Sequence, residues 1–252
     1  MRKGYSGGAR IAQERRSRPR QGCSVLGDFQ LFASGENRSP WPIIFVGGNH
    51  EPYGFLDHYP DGGPIHGLSG EPVPKCYYMG RAGWAELWGI RVIGVSGIFA
   101  NEDVFNSERP AITMIGTAKL KRFAYMRRRD VERAYEIGSA VRGDLWLLHD
   151  WPESDLGARL GRGTNFDGKH GNPRTLSLIR EFAPQRVLCG HMHIPMDWEL
   201  PQRNGSSTLV HALGYLPLAQ EGCVQILEWD AASRSIRRLA RWNGAGFQSD
   251  GS

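Results

Sequence analysis

Cysteine is sparse in this 252-residue chain: Cys23, Cys76, Cys189 and Cys223 stand far apart, with no C-x-x-C pair. That spacing gives no support to a disulfide framework and fits a reduced, cytoplasmic protein with incidental thiols. Long apolar runs are missing too, and nothing approaches the ~20 residues that cross a bilayer, so no membrane is expected as a partner. Residues 1–20 hold no apolar h-region, and a secretory signal is not expected there. A net basic charge is absent from most of the chain. The formal net charge is +5, but residues 1–20 carry seven Arg or Lys against one Glu, so the rest sums to −1. The basic pI therefore argues for no nucleic-acid-binding body. The arm itself reads as a phosphate-backbone contact, as a disordered solvated end, or as a wrongly chosen translation start.

What remains is the composition of a globular protein, 40% hydrophobic and 23% charged, long enough for one domain with a substantial core. Four stretches share one pattern, a short apolar run followed by a small or polar turn. They are Ser24-Val25-Leu26-Gly27-Asp28, Ile43 to Glu51, Leu145 to Asp150, and Val187 to His193. Such runs read as buried strands, and ligands in open α/β sheets gather at strand carboxyl ends. Between them, residues 52–75 are dense in Pro and Gly and read as a long irregular loop. Ala85–Leu87 and Ile90–Val95, split by Trp88-Gly89, read as a hairpin. Leu120, Phe123, Ala124, Val131, Ala134 and Ile137 recur at helical spacing and predict one helix over 117–142. Pro173–Phe182 reads as a second helix with Asn172 as its N-cap. Leu209–Leu213 and Val224–Trp229 read as late strands. The expected organisation is a basic tail at 1–21, one α/β domain at 22–242 and a flexible end at 243–252.

The polar groups at the four strand ends suit a metal centre for hydrolysis. Alone, Asp28 reads as a helix cap or Asx-turn, Asn49 as a turn residue and His149 as a hydrogen-bonded core histidine. Asn49-His50-Glu51 after Gly47-Gly48 is harder to explain by packing, since two glycines let backbone approach closely. In an extended segment His191 and His193 would face one way. Imidazole with carboxylate or amide oxygen suits Zn, Mn or Fe(II). Cys189 is expected to pack in the core.

Gly27-Asp28, Gly47-Gly48-Asn49-His50-Glu51 and Gly190-His191-Met192-His193 resemble the ordered motifs of calcineurin-like metallophosphoesterases. Further strings look like the lariat-debranching branch of that superfamily: Gly27-Asp28-Phe29-Gln30, Tyr77-Tyr78-Met79-Gly80, Val95-Ser96-Gly97-Ile98-Phe99, Leu148-His149-Asp150-Trp151-Pro152 and the stretch around Ala124-Tyr125-Met126-Arg127-Arg128. The resemblance runs from about Gly22 to about Pro195. It implies a four-layer α/β/β/α sandwich of two mixed sheets. It also implies that Asp28, Asn49, His149 and His191 hold one divalent ion, that His193 belongs to a second site bridged by Asp28, and that His50 protonates the leaving oxygen. The implied activity is metal-dependent hydrolysis of a phosphodiester in a nucleotide or RNA, with no protein partner expected.

The family's first motif, Asp-x-His or Cys-x-His after an initial strand, has no counterpart, since no histidine precedes His50. One metal site is then complete and the second keeps only Asp28 and His193. A truncated or divergent start is the expectation that follows. A non-catalytic relative acting as a binding module and a phosphomonoesterase stay open beside the phosphodiesterase. The charge run from Lys119 to Arg129 reads as a solvated helix face.

Overall fold

The computed structural model describes residues 41–66, 72–109, 121–155, 169–215 and 221–250. Asp28 with its strand, the basic tail, most of the connection from Ala33 to Pro42, Cys23 and Lys119 lie outside the described residues.

The described elements begin with β1 (Ile43–Phe45), α1 (Tyr53–Leu56), β2 (Gly63–His66) and β3 (Pro72–Tyr78). The hairpin of β4 (Ala82–Leu87) and β5 (Ile90–Val95) follows, then α2 (Glu102–Asn106), α3 (Lys121–Ala124) and α4 (Arg128–Val141). β6 (Leu145–Leu148), the short β7 (Ser154–Asp155) and β8 (Lys169–His170), α5 (Pro173–Phe182) and β9 (Arg186–Cys189) come next. The last described elements are all strands: β10 (Met196–Pro201), β11 (Ser207–Ala212), β12 (Gln225–Asp230), β13 (Ser235–Trp242) and β14 (Phe247–Ser249).

These elements stack in the expected α/β/β/α order. A six-stranded sheet runs β10-β11-β9-β6-β5-β4, its four inner strands parallel and its two edge strands antiparallel. Strand alternation sorts its side chains between two cores. Ile93, Val95, Trp146, Leu148, Val187 and Cys189 point to one face, where Ala134 and Ile137 of α4 and Leu176, Leu178 and Ile179 of α5 cover them. Val92, Leu145 and partly buried Leu147 and Leu188 point to the other, against Ile44, Val46, Leu227, Trp229 and Ile236. Among the described residues, the second β layer thus consists of two three-stranded sheets, β1-β3-β2 and β12-β13-β14. Ile43 and Phe45 of β1 turn the opposite way, to a third core with Tyr53, Leu56, Tyr78, Phe123 and Ala124. Cys76, Cys189 and Cys223 are buried free thiols, as expected of incidental cysteines.

Local signals hold where local physics decides. Trp88 (φ 50°) and Gly89 (φ 82°) turn the β4–β5 hairpin with two left-handed residues, the conformation that a two-residue hairpin turn requires. Asn172 caps α5 by accepting from the backbone N–H of Arg174 and Thr175, with Pro173 at the first helical position.

Three expectations need correction. The helix over 117–142 is two helices, described from Lys121 onward, and its apolar series serves two different cores. Phe123 and Ala124 pack beneath β1 and β3, whereas Ala134 and Ile137 pack on the large sheet. Tyr125 breaks the helix by bridging to Ile98, with Ile98 N–H donating to Ala124 O and Met126 N–H to Ile98 O. The Pro/Gly-rich stretch is no irregular loop, since it carries α1, β2 and β3. Two of its prolines sit where a missing N–H costs little: Pro72 opens its strand and Pro64 lies on β2, an edge strand among the described residues. The Gly/Ser-rich end holds β14, which pairs with β13.

Candidate functional site

Asn49 is delivered by the turn that leaves β1. Buried Ser96, after β5, accepts from Gly47 N–H at 2.9 Å and donates to Gly80 O at 2.6 Å, tying the two strand ends together. Gly97 N–H donates to Gly47 O. The Glu51 carboxylate folds back to accept from Gly48 N–H at 2.7 Å and from His50 N–H at 3.3 Å. Burial raises its pKa against the pull of these backbone bonds. Glu51 therefore shapes the turn that presents Asn49.

His149 follows β6 directly, and Gly48 is the residue that admits its ring. A Cβ on Gly48 would lie 2.3 Å from His149 Cε1. Asp150 anchors the same corner: it accepts from Phe99 N–H at 2.9 Å and Trp151 N–H at 3.1 Å, and burial pushes its carboxyl up to about 6. His191 arrives from the turn after β9, whose Gly190 N–H donates to His149 O.

The outcome is a convergence of three side chains. His149 Nε2 lies 3.0 Å from Asn49 Oδ1 and 3.3 Å from His191 Nδ1. Burial, then the charges of His191, His50 and His193, pushes the His149 imidazole down to about 3. Burial, then Lys121, His193 and His50, also lowers His191. Neutral imidazoles carry one lone pair each and the amide oxygen carries two. In the tautomers that carry their N–H on the far ring nitrogen, all three atoms turn lone pairs toward one point, and a cation placed among them would satisfy them. The donor chemistry thus fits a divalent ion of the Zn, Mn or Fe(II) kind.

Asn49, His149 and His191 are brought together, and the charges of His50 and His193 act on this centre. The geometry of the His191-x-His193 pair differs from the extended segment expected. Both residues have left-handed backbone, φ 69° and 58°, because the strand ends at Cys189. His193 stacks on Tyr215, ring centroids 4.4 Å apart, while His191 faces His149. Among the described residues, no group of three or more His, Cys, Asp or Glu side chains is placed to hold a metal. The third donor here is an amide, and Asp28 lies outside the described residues. Sequence reasoning missed Lys121 as a neighbour of His191, having placed it on a solvated face. It missed Tyr215 altogether, and no local pattern marks either residue.

No protein-family model matches the chain. It is similar to the lariat debranching enzyme of Caenorhabditis briggsae, 31% identical over 85% of this chain and 44% of the relative. The lariat debranching enzymes of Schizosaccharomyces pombe and Saccharomyces cerevisiae are each 31% identical over 67% of this chain, covering 36% and 43% of those proteins. The chain spans less than half the length of these curated relatives. A solved structure from Thermus thermophilus superposes with a TM-score of 0.35 at 16% identity, covering 62% of this chain and 56% of that one, too loose a likeness to bear on the site.

Proposed function

From membership of the metallophosphoesterase superfamily, as a homologue of lariat debranching enzymes, we propose that this chain is a metal-dependent phosphodiesterase. Its substrate is a phosphodiester of a nucleotide or nucleic acid, with the 2′,5′ branch of an RNA lariat the most specific candidate. The observation that carries this reading is the approach of Asn49 Oδ1 and His191 Nδ1 to His149 Nε2.

In this reading Asn49, His149 and His191, with Asp28, hold one divalent ion, manganese being the first to try, and His193 contributes to a second. A bound ion of this kind lowers the pKa of water and stabilises charge on a phosphoryl oxygen. The chain's own residues do the rest. Burial keeps His149 neutral, so that its lone pair stays available. Glu51 and Gly48 hold the turn, so that Asn49 keeps its direction. Lys121, whose charge acts on His191, gives this side of the pocket positive potential, which attracts a phosphodiester. His50 is exposed and its charge acts on His149 and His191, and in this reading it gives a proton to the departing oxygen. Stacking on Tyr215 restrains the His193 ring.

The test is turnover of bis(p-nitrophenyl) phosphate and p-nitrophenyl phosphate with Mn²⁺, Zn²⁺, Fe²⁺ or Ni²⁺. Preferential diester hydrolysis that Asn49→Ala and His191→Ala abolish, with melting temperatures retained, is the expected result. A folded chain inactive with every metal would sink the hydrolase reading and favour a binding module. Faster monoester turnover would make it a phosphomonoesterase.

A further inference from the structure

Three guanidiniums, those of Arg81, Arg109 and Arg127, cluster where α2, α3 and the start of α4 meet, and among the described residues two carboxylates pair with them. Arg81 takes Asp57 through two hydrogen bonds of 2.7 and 2.8 Å, and Arg109 takes Asp130. Arg127 is left without a carboxylate among the described residues. Its side chain, in a residue only 4% exposed, donates to the Val104 carbonyl, and its Nε has no partner. The Nε of Arg109, whose side chain is 7% exposed, is likewise unpartnered. Burial, then Arg109, lowers Arg127, and burial, then Arg81, lowers Arg109. A guanidinium stays charged under such pressure and retains donors in a fixed fork.

Both arginines line one half-open cavity of about 220 Å³, which exposed Arg128 and Arg129 also border. Glu108 and Glu132 stand on its rim, both exposed. Four cations thus face two solvated carboxylates. The cavity opens at the first residues of the 14-residue helix α4, whose dipole favours an anion there. Asp130 answers part of that dipole by accepting from Arg127 N–H at 2.8 Å, but its carboxylate is already shared with Arg109. A relay of contacts links the cavity to the segment that carries His149. Phe105 lines it, the Phe105 ring lies 6.2 Å from that of Phe99, and Phe99 N–H holds Asp150.

We infer that the cavity lined by Arg109, Arg127, Arg128 and Arg129 is a phosphate-binding subsite, built to take a tetrahedral oxyanion on the Arg127 guanidinium, which pairs with no carboxylate among the described residues. Its occupant is a backbone phosphate of the nucleic-acid substrate a few residues away from the reacting bond. That assignment of the occupant rests on the phosphodiesterase reading, whereas the anion site itself does not. Charge-assisted, fork-like contacts to phosphate are the interaction that an Arg cluster provides best.

The full chain is tested in EDTA, so that no metal contributes. Inorganic phosphate should raise its melting temperature above that in chloride of equal ionic strength, since a ligand bound only to the folded state stabilises it. Arg127→Met should lose this rise while melting no lower without phosphate, because it removes a buried charge that bonds to no carboxylate among the described residues. Arg128→Gln with Arg129→Gln, both exposed, should weaken the rise with the fold intact. An unbranched oligoribonucleotide, followed by fluorescence anisotropy, should bind Arg127→Met about tenfold more weakly than the parent chain. No phosphate-specific stabilisation of the parent chain, or an equal rise in Arg127→Met, overturns the subsite. A phosphate effect without any oligoribonucleotide binding supports the anion site and overturns its nucleic-acid occupant. Diester turnover of the parent chain is measured separately, so loss of the hydrolase reading leaves the phosphate result standing on its own.

Discussion

Replacing Gly48 by alanine adds one methyl group at the tightest point of the candidate centre. That carbon would lie 2.3, 2.4 and 2.7 Å from His149 Cε1, Nδ1 and Nε2. Ordinary van der Waals contact begins near 3.4 Å, so ring and turn must separate by about 1 Å. Neither has an easy retreat. The ring is half-buried after β6, and the turn is pinned by Ser96 and Glu51. Backbone conformation is not at issue, because Gly48 does not occupy the left-handed region. Overpacking of this kind costs about 1–3 kcal/mol. The same 1 Å opens the 3.0 Å approach of His149 Nε2 to Asn49 Oδ1, and a misplacement of that size lowers turnover about 100-fold. Gly246→Ala is the control, since a Cβ there meets nothing within 4 Å, and it should change stability by less than about 0.5 kcal/mol. The assay is bis(p-nitrophenyl) phosphate turnover with a urea melt of each variant. Gly48→Ala with full turnover and unchanged stability would refute the packed site.

Other substitutions probe the supports. Ser96→Ala leaves buried Gly47 N–H without its acceptor and should cost about 1–3 kcal/mol in a urea melt, with loss of turnover through Asn49. Asn172→Ala removes a fully buried cap from two N–H groups and should cost about 1–2 kcal/mol, visible as a lowered urea midpoint at unchanged m-value. For Asp144, burial alone would raise the carboxyl, but hydrogen bonds from Arg91 and Arg234 reverse this and hold it below its ordinary 3.8. A carboxyl depressed in the folded state stabilises above the unfolded pKa and loses that contribution as pH falls through the folded value. Acid titration of the melting temperature should therefore show a decline below about pH 4, and Asp144→Asn should flatten that part of it.

The motifs legible in the amino-acid order alone are those whose physics is local. Ile43–Phe45, Leu145–Leu148 and Arg186–Cys189 are short apolar runs that alternate between two cores, so their ends could be found by pattern. Asn172-Pro173 starts a helix and Trp88-Gly89 turns a hairpin because each acts within a few residues of itself. Those same ends named Asn49, His149 and His191. Only tertiary structure decided what distant segments do to one another. The apolar series from Phe123 to Ile137 reads as one helix, yet Ile98 claims the backbone at Tyr125 and divides it between two layers. The prolines of 60–74 read as a loop, yet an edge position and a strand start accommodate Pro64 and Pro72. His191 and His193 do not share a strand face, because the chain has left the sheet by Cys189 and turned left-handed. Lys121 beside His191 and Arg127 without a carboxylate among the described residues have no local signature, since burial and charge balance depend on which surfaces the folded chain brings into contact.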